Sequence, residues 1–164
     1  MSYASIFKVT IATLAVCAAA CGASPRALWA PNTVGSFGTL MFARGHITLS
    51  QQIQFATNSD QIETARSETV LRDLGTLLRD NPQIRRVRIE GHTDLRGDAS
   101  ANRDLSNRRA LSVANHLRSQ GATSVLFEPV GNGASQPLCR EDNDGCHDRN
   151  RRVEFTVTDP APGQ

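Results

Sequence analysis

The sequence predicts an α/β fold: a two-layer sandwich in which one mixed sheet carries helices on one face, in the order β-α-β-α-β-β. Three observations point there. Stretches with period-two alternation of apolar and polar residues are interleaved with stretches of helical spacing. Pro and Gly fall between these stretches, where chains turn. A length of 164 residues with 39% hydrophobic content suffices for one core but crowds two domains. The same composition, with 21% charged residues, excludes disordered and collagen-like chains.

The elements follow in order. Gly38 to Phe42 is expected to pair with the next segment across a turn at Arg44-Gly45. From Ile47 to Phe55 the odd positions are Ile, Leu, Gln, Ile and Phe and the even ones Thr, Ser, Gln and Gln, the pattern of a half-buried strand. Asp60 offers an N-cap with Glu63 as its capping-box partner. Val70, Leu71, Leu74, Leu77 and Leu78 then stripe a helix over about 62–80 that Asn81-Pro82 ends. Val87 and Ile89 alternate with Arg86, Arg88 and Glu90 in a strand that ends at Gly91. After the loop from Gly91 to Gly97, Ala110, Val113, Ala114 and Leu117 stripe a second helix, stopped by Gly121. Ser124 to Val130 reads as a strand. Residues 131–149 read as a polar loop that begins with a Gly131-Asn132-Gly133 turn. Val153, Phe155 and Val157 mark the last strand, before a disordered tail at 159–164.

Residues 1–20 read as a secretory signal. Lys8 supplies one positive charge, and the largely apolar run from Val9 to Ala20 is shorter than the roughly 20 residues that span a bilayer. Ala18-Ala19-Ala20-Cys21-Gly22 places small residues before a cysteine and resembles the lipobox of bacterial lipoproteins, although Leu is more usual at the first of those positions. Cleavage before Cys21 would discard Cys17, acylation would occupy Cys21, and Cys139 and Cys146 would remain as a pair. An ordinary cut at an Ala-x-Ala site is the alternative, and it leaves an odd thiol in an oxidising compartment. Several acyl chains make a durable anchor. Gly22 stands where an Asp would resemble an inner-membrane retention signal, which favours the periplasmic face of the outer membrane. Residues 21–37 form a tether, reaching roughly 20–24 Å as a flexible coil, and the domain runs from 38 to 158. Without Lys8 the arginines outnumber Asp plus Glu by only one, so nucleic acid is not an expected partner.

Recognition chemistry concentrates in Gly91-His92-Thr93-Asp94-x-x-Gly97, continued by Asn102, Leu105, Ser106, Arg109 and Ala110. Asp94 lies at the C-terminal end of a strand, and Gly91 and Gly97 let the loop turn tightly. Arg109 lies four residues before Val113, so it borders the buried stripe of a helix that returns beside the loop. The two charges can neutralise each other, with Asp104 another partner open to Arg109. They can instead hold a zwitterion together, Asp94 taking an ammonium and Arg109 a carboxylate through charge-assisted bonds about twice as strong as neutral ones. A plainer role for Asp94 is to cap the turn. Arg85, Arg86, Arg88, Arg96 and Arg108 read as solvated surface charges that could also help hold an anionic polymer.

The stretch from Gly91 to Ala110, with Phe55-x3-Ser59 and Asn150-Arg151-Arg152-Val153-Glu154, resembles the OmpA-like domain, and the likeness extends from about Ile47 to Val157. The resemblance implies non-covalent binding of peptidoglycan through the diaminopimelate of its stem peptide. Asp94 would take the ammonium and Arg109 the carboxylate of that residue's free amino-acid end, with Thr93, Leu95 and Asn102 around them. Arg151 would close the site from the last strand, Arg152 pointing to the opposite face. Asn102 could equally brace the loop. The resemblance further implies a lipid-anchored protein tying outer membrane to wall, with no cofactor and no catalysed reaction. The alternative is a periplasmic scaffold that docks a protein partner. Two positions depart from the family: Ala56, where some members carry Asp, and Ala101, where others carry an aromatic residue or Leu, and both imply a shallower pocket.

Cys139 and Cys146 flank six residues of a polar loop and are close enough to bridge, which an oxidising compartment favours. No metal site is expected. His147 and His92 with these cysteines lack the C-x₂₋₄-C spacing of zinc sites. Aligning Gly145 with the invariant glycine of a calcium loop puts Arg140 at the first ligand position. His92, Asp94 and Ser106 have no nucleophile elbow around them, which argues against a hydrolase.

Overall fold

The computed structural model describes residues 35–43 and 45–159. The expected signal at 1–20, the lipidation site Cys21, the tether as far as Val34 and the tail from Pro160 lie outside the described residues. In chain order the elements are β1 (Gly35–Phe37), β2 (Leu40–Ala43), β3 (His46–Leu49), α1 (Thr64–Asp80), β4 (Arg86–His92), α2 (Ala99–Ser119), β5 (Leu126–Gly133), α3 (Asp144–Asn150) and β6 (Val153–Asp159). The strands form one mixed sheet in the order β1-β2-β3-β6-β4-β5. Only β4 and β5 pair in parallel, through the crossover helix α2 that a parallel pair requires. The other neighbours are antiparallel. This is the α/β architecture expected from the sequence, with the β-α-β-α-β-β order enlarged by two N-terminal strands, β1 and β2, and one short helix, α3.

The alternation works as read. Val87 and Ile89 of β4, Phe155 of β6, Ile47 of β3 and Leu40 and Phe42 of β2 face one side and are buried, whereas Arg86, Arg88, Glu154 and Met41 face water. Against the apolar face α1 packs Val70, Leu71, Leu74, Leu77 and Leu78, and α2 packs Ala110, Val113, Ala114 and Leu117, all fully buried. Each large side chain removed from water in this way contributes about 1.5–3 kcal/mol. α1 stops where Asn81 Nδ2 donates to the Leu77 carbonyl at 2.7 Å, just before Pro82. α2 starts at Asp98, whose Oδ1 accepts from the Ser100 and Ala101 amides, both at 2.9 Å.

Five local expectations change. β6 runs on through Asp159, which pairs with Arg86, so Asp159 belongs to the sheet and not to the tail expected at 159–164. β1 occupies the last three residues assigned to the tether, because Phe37 packs on the core and Gly35–Phe37 pairs with β2. The strand read over 47–55 ends at Leu49. Ile53 stays buried, but the Gln54 amide donates to Ser67 Oγ at 2.9 Å and its carbonyl accepts from Glu63 at 2.9 Å, so this backbone is bonded to the start of α1 instead of to β6. Helix α1 begins at Thr64 without a side-chain cap, since Ile62 bridges Phe55 and Ala56 accepts from and donates to the intervening turn. The 131–149 stretch is not all loop: Gly131 to Gly133 continues β5, and α3 follows.

Gly91 serves close approach more than turning. It lies within β4, and a Cβ there would collide with the Ser106 carbonyl of α2. Gly131 meets the Arg103 carbonyl and the Asn107 amide in the same way. Helix α2 therefore rides directly on the backbones of β4 and β5. The Ser106 hydroxyl fastens the contact, accepting from the Gly133 amide at 2.9 Å and donating to the Arg103 carbonyl at 2.9 Å.

Candidate functional site

Three segments converge at the C-terminal end of β4. The first is the turn from Phe55 to Ile62, closed by the Phe55–Ile62 bridge and the Ala56–Gln61 hydrogen bond. The second is the loop from Thr93 to Asp98, anchored where the Thr93 amide donates to the Gly133 carbonyl at 3.0 Å. The third is α3 and Arg151. Helix α3 is capped by Asn143, whose side chain accepts from the Cys146 amide at 2.9 Å, and it is tied to the preceding loop by the Cys139–Cys146 disulfide. Fully buried Asn150 accepts from the Leu138 amide at 2.8 Å and donates to the Cys139 carbonyl at 2.9 Å. The cysteines expected to bridge are thus joined, and a thiol in a disulfide offers no metal ligand, although Glu141 stands beside the pair.

Between these segments lies a cleft of about 680 Å³ whose wall includes Thr93, Asp94, Asn102, Arg109 and Arg151, with Phe55 and Arg96. Asp94 is 8% exposed and Arg109 7%. They are not paired with each other. Asp94 Oδ2 accepts from Arg96 and from Arg151, both at 2.8 Å, and its Oδ1 accepts from the Arg96 amide at 3.2 Å. Burial alone would raise the Asp94 carboxyl, but these bonds outweigh it and hold the group at about 2, below its ordinary 3.8. Arg109 donates from Nε to the Ser59 carbonyl at 2.9 Å and lies 4.9 Å from the centre of the Phe55 ring. Its Nη atoms make no hydrogen bond or ion pair among the described residues, with Asp104 or any other acid. Burial and the charge of Arg151 lower its pKa, and Asp60 and Asp94 oppose them only at a distance.

Of the six residues picked from the sequence, five share this cleft. Leu95 does not line it and is 39% exposed, because the Asp94–Arg96 hydrogen bonds fold the loop so that residue 95 turns outward. Arg96, read as a solvated charge, keeps an exposed side chain but takes one side of Asp94. Asn102 braces the loop, donating to the Arg96 carbonyl at 2.8 Å. Arg151 spans Asp94 and Asp148, whereas Arg152 points away and pairs with Glu154 at 2.6 Å. Sequence reasoning did not assign roles to Phe55 and Ser59, which seat Arg109. Their only signal was the Phe55-x3-Ser59 motif itself.

The depressed Asp94 carboxyl sets a pH dependence. A folded value below the unfolded one contributes stability that is present above about pH 4 and lost as pH falls through about 2. A carboxyl 12% exposed and held that low is worth roughly 2 kcal/mol. Urea unfolding of wild type and Asp94→Asn should therefore differ at pH 7 and converge between pH 4 and 2. A constant gap across that window would reject the assignment.

Comparison with known proteins places these features in context. A model of the OmpA family matches residues 54–151. The chain is 35% identical over 109 residues to the outer-membrane lipoprotein YfiB of Pseudomonas aeruginosa, covering 66% of this chain and 64% of YfiB. It is 30% identical over 112 residues to the peptidoglycan-associated lipoprotein of Mesorhizobium japonicum, covering 68% and 66%. For a Buchnera aphidicola protein of the same name the match spans only 57% of the relative. Among solved structures, the peptidoglycan-associated lipoprotein from Burkholderia pseudomallei aligns with a TM-score of 0.57 at 26% identity, over 66% of this chain and 91% of that one. The cell wall anchor of the T6SS from Pseudomonas aeruginosa aligns with a TM-score of 0.55 at 25% identity, over 77% and 87%.

Proposed function

We propose, from the premise that this chain belongs to the OmpA family, that its cleft binds peptidoglycan non-covalently by the zwitterionic end of diaminopimelate and so tethers the outer membrane to the wall. One observation carries the reading: Arg109 is a nearly buried guanidinium whose Nη donors have no partner among the described residues, on the same cleft wall as an ionised Asp94. Holding an uncompensated charge out of water costs several kcal/mol, and an arriving carboxylate relieves that cost through a two-pronged bond. The ligand's ammonium joins Arg96 and Arg151 on Asp94. Both guanidiniums are partly exposed, so either can swing toward water as the ammonium arrives.

Thr93 and Asn102 shape the wall beside the acid, and Leu95 is assigned no contact. No step makes or breaks a covalent bond. Cys21, acylated, would supply the membrane end of the link and place the domain on the periplasmic face of the outer membrane. A single head group cannot overcome the full cost of association, so affinity for one stem peptide is modest. Confinement to a surface facing many wall peptides makes the linkage firm. The names of the relatives support an envelope location and a wall partner.

The test is co-sedimentation with purified sacculi. Wild type should pellet with them and release no soluble muropeptide, while Asp94→Asn should stay largely in the supernatant. Equal pelleting of the two proteins would overturn the assignment.

A further inference from the structure

A second cavity of about 220 Å³ adjoins the cleft and shares Gln54, Phe55, Arg109 and Arg151 with it. Its separate wall contains Gln52 and His92. His92 is only 2% exposed, yet neither ring nitrogen has a hydrogen-bond partner among the described residues. Burial and the charge of Arg152 lower its pKa, so at neutral pH the ring is uncharged and offers one donor and one acceptor. An unmet ring N–H in a protein interior calls for a bound acceptor. With its amide nitrogen turned toward the chain, Gln52 donates to the Asp148 carbonyl at 3.2 Å and the Arg151 carbonyl at 3.0 Å, which fixes the wall facing His92.

Charge balance indicates what that group is. Cleft and cavity together hold Arg66, Arg96, Arg109 and Arg151 against Glu63, Asp94 and Asp148, with Arg66 paired to Glu63, while Arg152 is matched by Glu154. One positive charge is in excess. A zwitterionic head group is neutral and leaves that excess in place. A ligand with one further carboxylate removes it.

Building on the head-group reading above, we propose that the inner cavity is a second subsite, which takes the carboxylate of the residue following the diamino acid in a short peptide, held between the His92 ring and Arg109. The peptide therefore spans both chambers, and Arg109, standing in the wall common to them, serves a carboxylate on each side.

The experiment titrates the wild-type protein with three probes: free diaminopimelate, diaminopimelyl-alanine, and the same dipeptide amidated at its alanine. Binding is read by calorimetry and by the NMR signals of the His92 ring and of Asp94 and Arg109. The acid dipeptide should bind about tenfold more tightly than the amide and should shift the His92 ring signals. In His92→Phe the ratio of the two affinities should fall several-fold while staying above one, because Arg109 keeps its hold on the carboxylate. Equal affinities for acid and amide in wild type, or a His92 ring that does not respond while Asp94 and Arg109 do, would overturn the subsite and leave the head-group reading standing. If no probe perturbs Asp94 or Arg109, the head-group reading falls and takes the subsite with it.

Discussion

Arg109→Met is expected to abolish co-sedimentation with sacculi while shifting the thermal midpoint by no more than a few degrees. Binding suffers because the carboxylate of the ligand loses the Arg109 guanidinium, whose Nη donors have no partner among the described residues. Removing one partner of a desolvated charge pair costs about 2–5 kcal/mol, which is a fall in affinity of about 30-fold or more. Folding behaves differently because the native protein gains little from the charge. Among the described residues Arg109 is buried, forms no ion pair, and makes one backbone hydrogen bond to Ser59 and one ring contact with Phe55. Methionine keeps the apolar stem and its contact with the ring. The lost hydrogen bond is offset by the removal of a desolvated charge, and such exchanges are often close to neutral for stability. Differential scanning calorimetry alongside the sedimentation assay separates the two effects. A variant that unfolds many degrees early would show that Arg109 is a structural residue and that its lost binding has another cause.

Gly91→Ala is expected to cost about 3 kcal/mol, at the upper end of overpacking effects and a large share of the roughly 5–15 kcal/mol that holds a domain together. The added methyl group would meet the carbonyl, carbon and Cα of Ser106, all backbone atoms of α2 that no rotamer change can move. Relief requires lifting the helix, and with it Ala110, Val113, Ala114 and Leu117, from the sheet. Arg109 lies less than one turn beyond the collision, so the cleft widens as the helix lifts and ligand affinity drops with stability. Urea unfolding gives the first quantity and calorimetry the second. An unchanged urea midpoint would contradict the close packing.

Much of this arrangement is written in the side-chain pattern. The helix stripes and the alternation in β4 and β6 identify buried faces directly, because burial depends on which residues are apolar. The path of the chain from Ser50 to Glu63 is a different matter. Its alternation continues through Ile53 and Phe55, but its backbone bonds go to Ser67 Oγ and Glu63, and side-chain periodicity carries no information about backbone partners. Helix α3 escapes detection for a related reason. It is short and polar, and it is held by the Asn143 cap, the disulfide and the Asn150 amide instead of by an apolar stripe.

The candidate site divides along the same line. Asp94, Asn102, Arg109 and Arg151 fall on one cleft because strand end, helix face and last strand meet there, which the element order alone suggests. That Arg96 turns back onto Asp94, and that Arg109 rests on a distant turn, depends on loop conformation. The cavity lined by His92 likewise emerges only when β4, α2 and the segment of α3 and Arg151 are assembled.

The disulfide that ties α3 to the preceding loop has one more consequence. Arg151 and Asp148 hang from a segment whose covalent closure needs two oxidised thiols, and such closure belongs to compartments outside the reducing cytosol. A chain whose two thiols were reduced would therefore keep the cleft's other walls but have a looser rim around Arg151 and Asp148, and on the proposed reading it would hold a ligand less tightly than the oxidised chain.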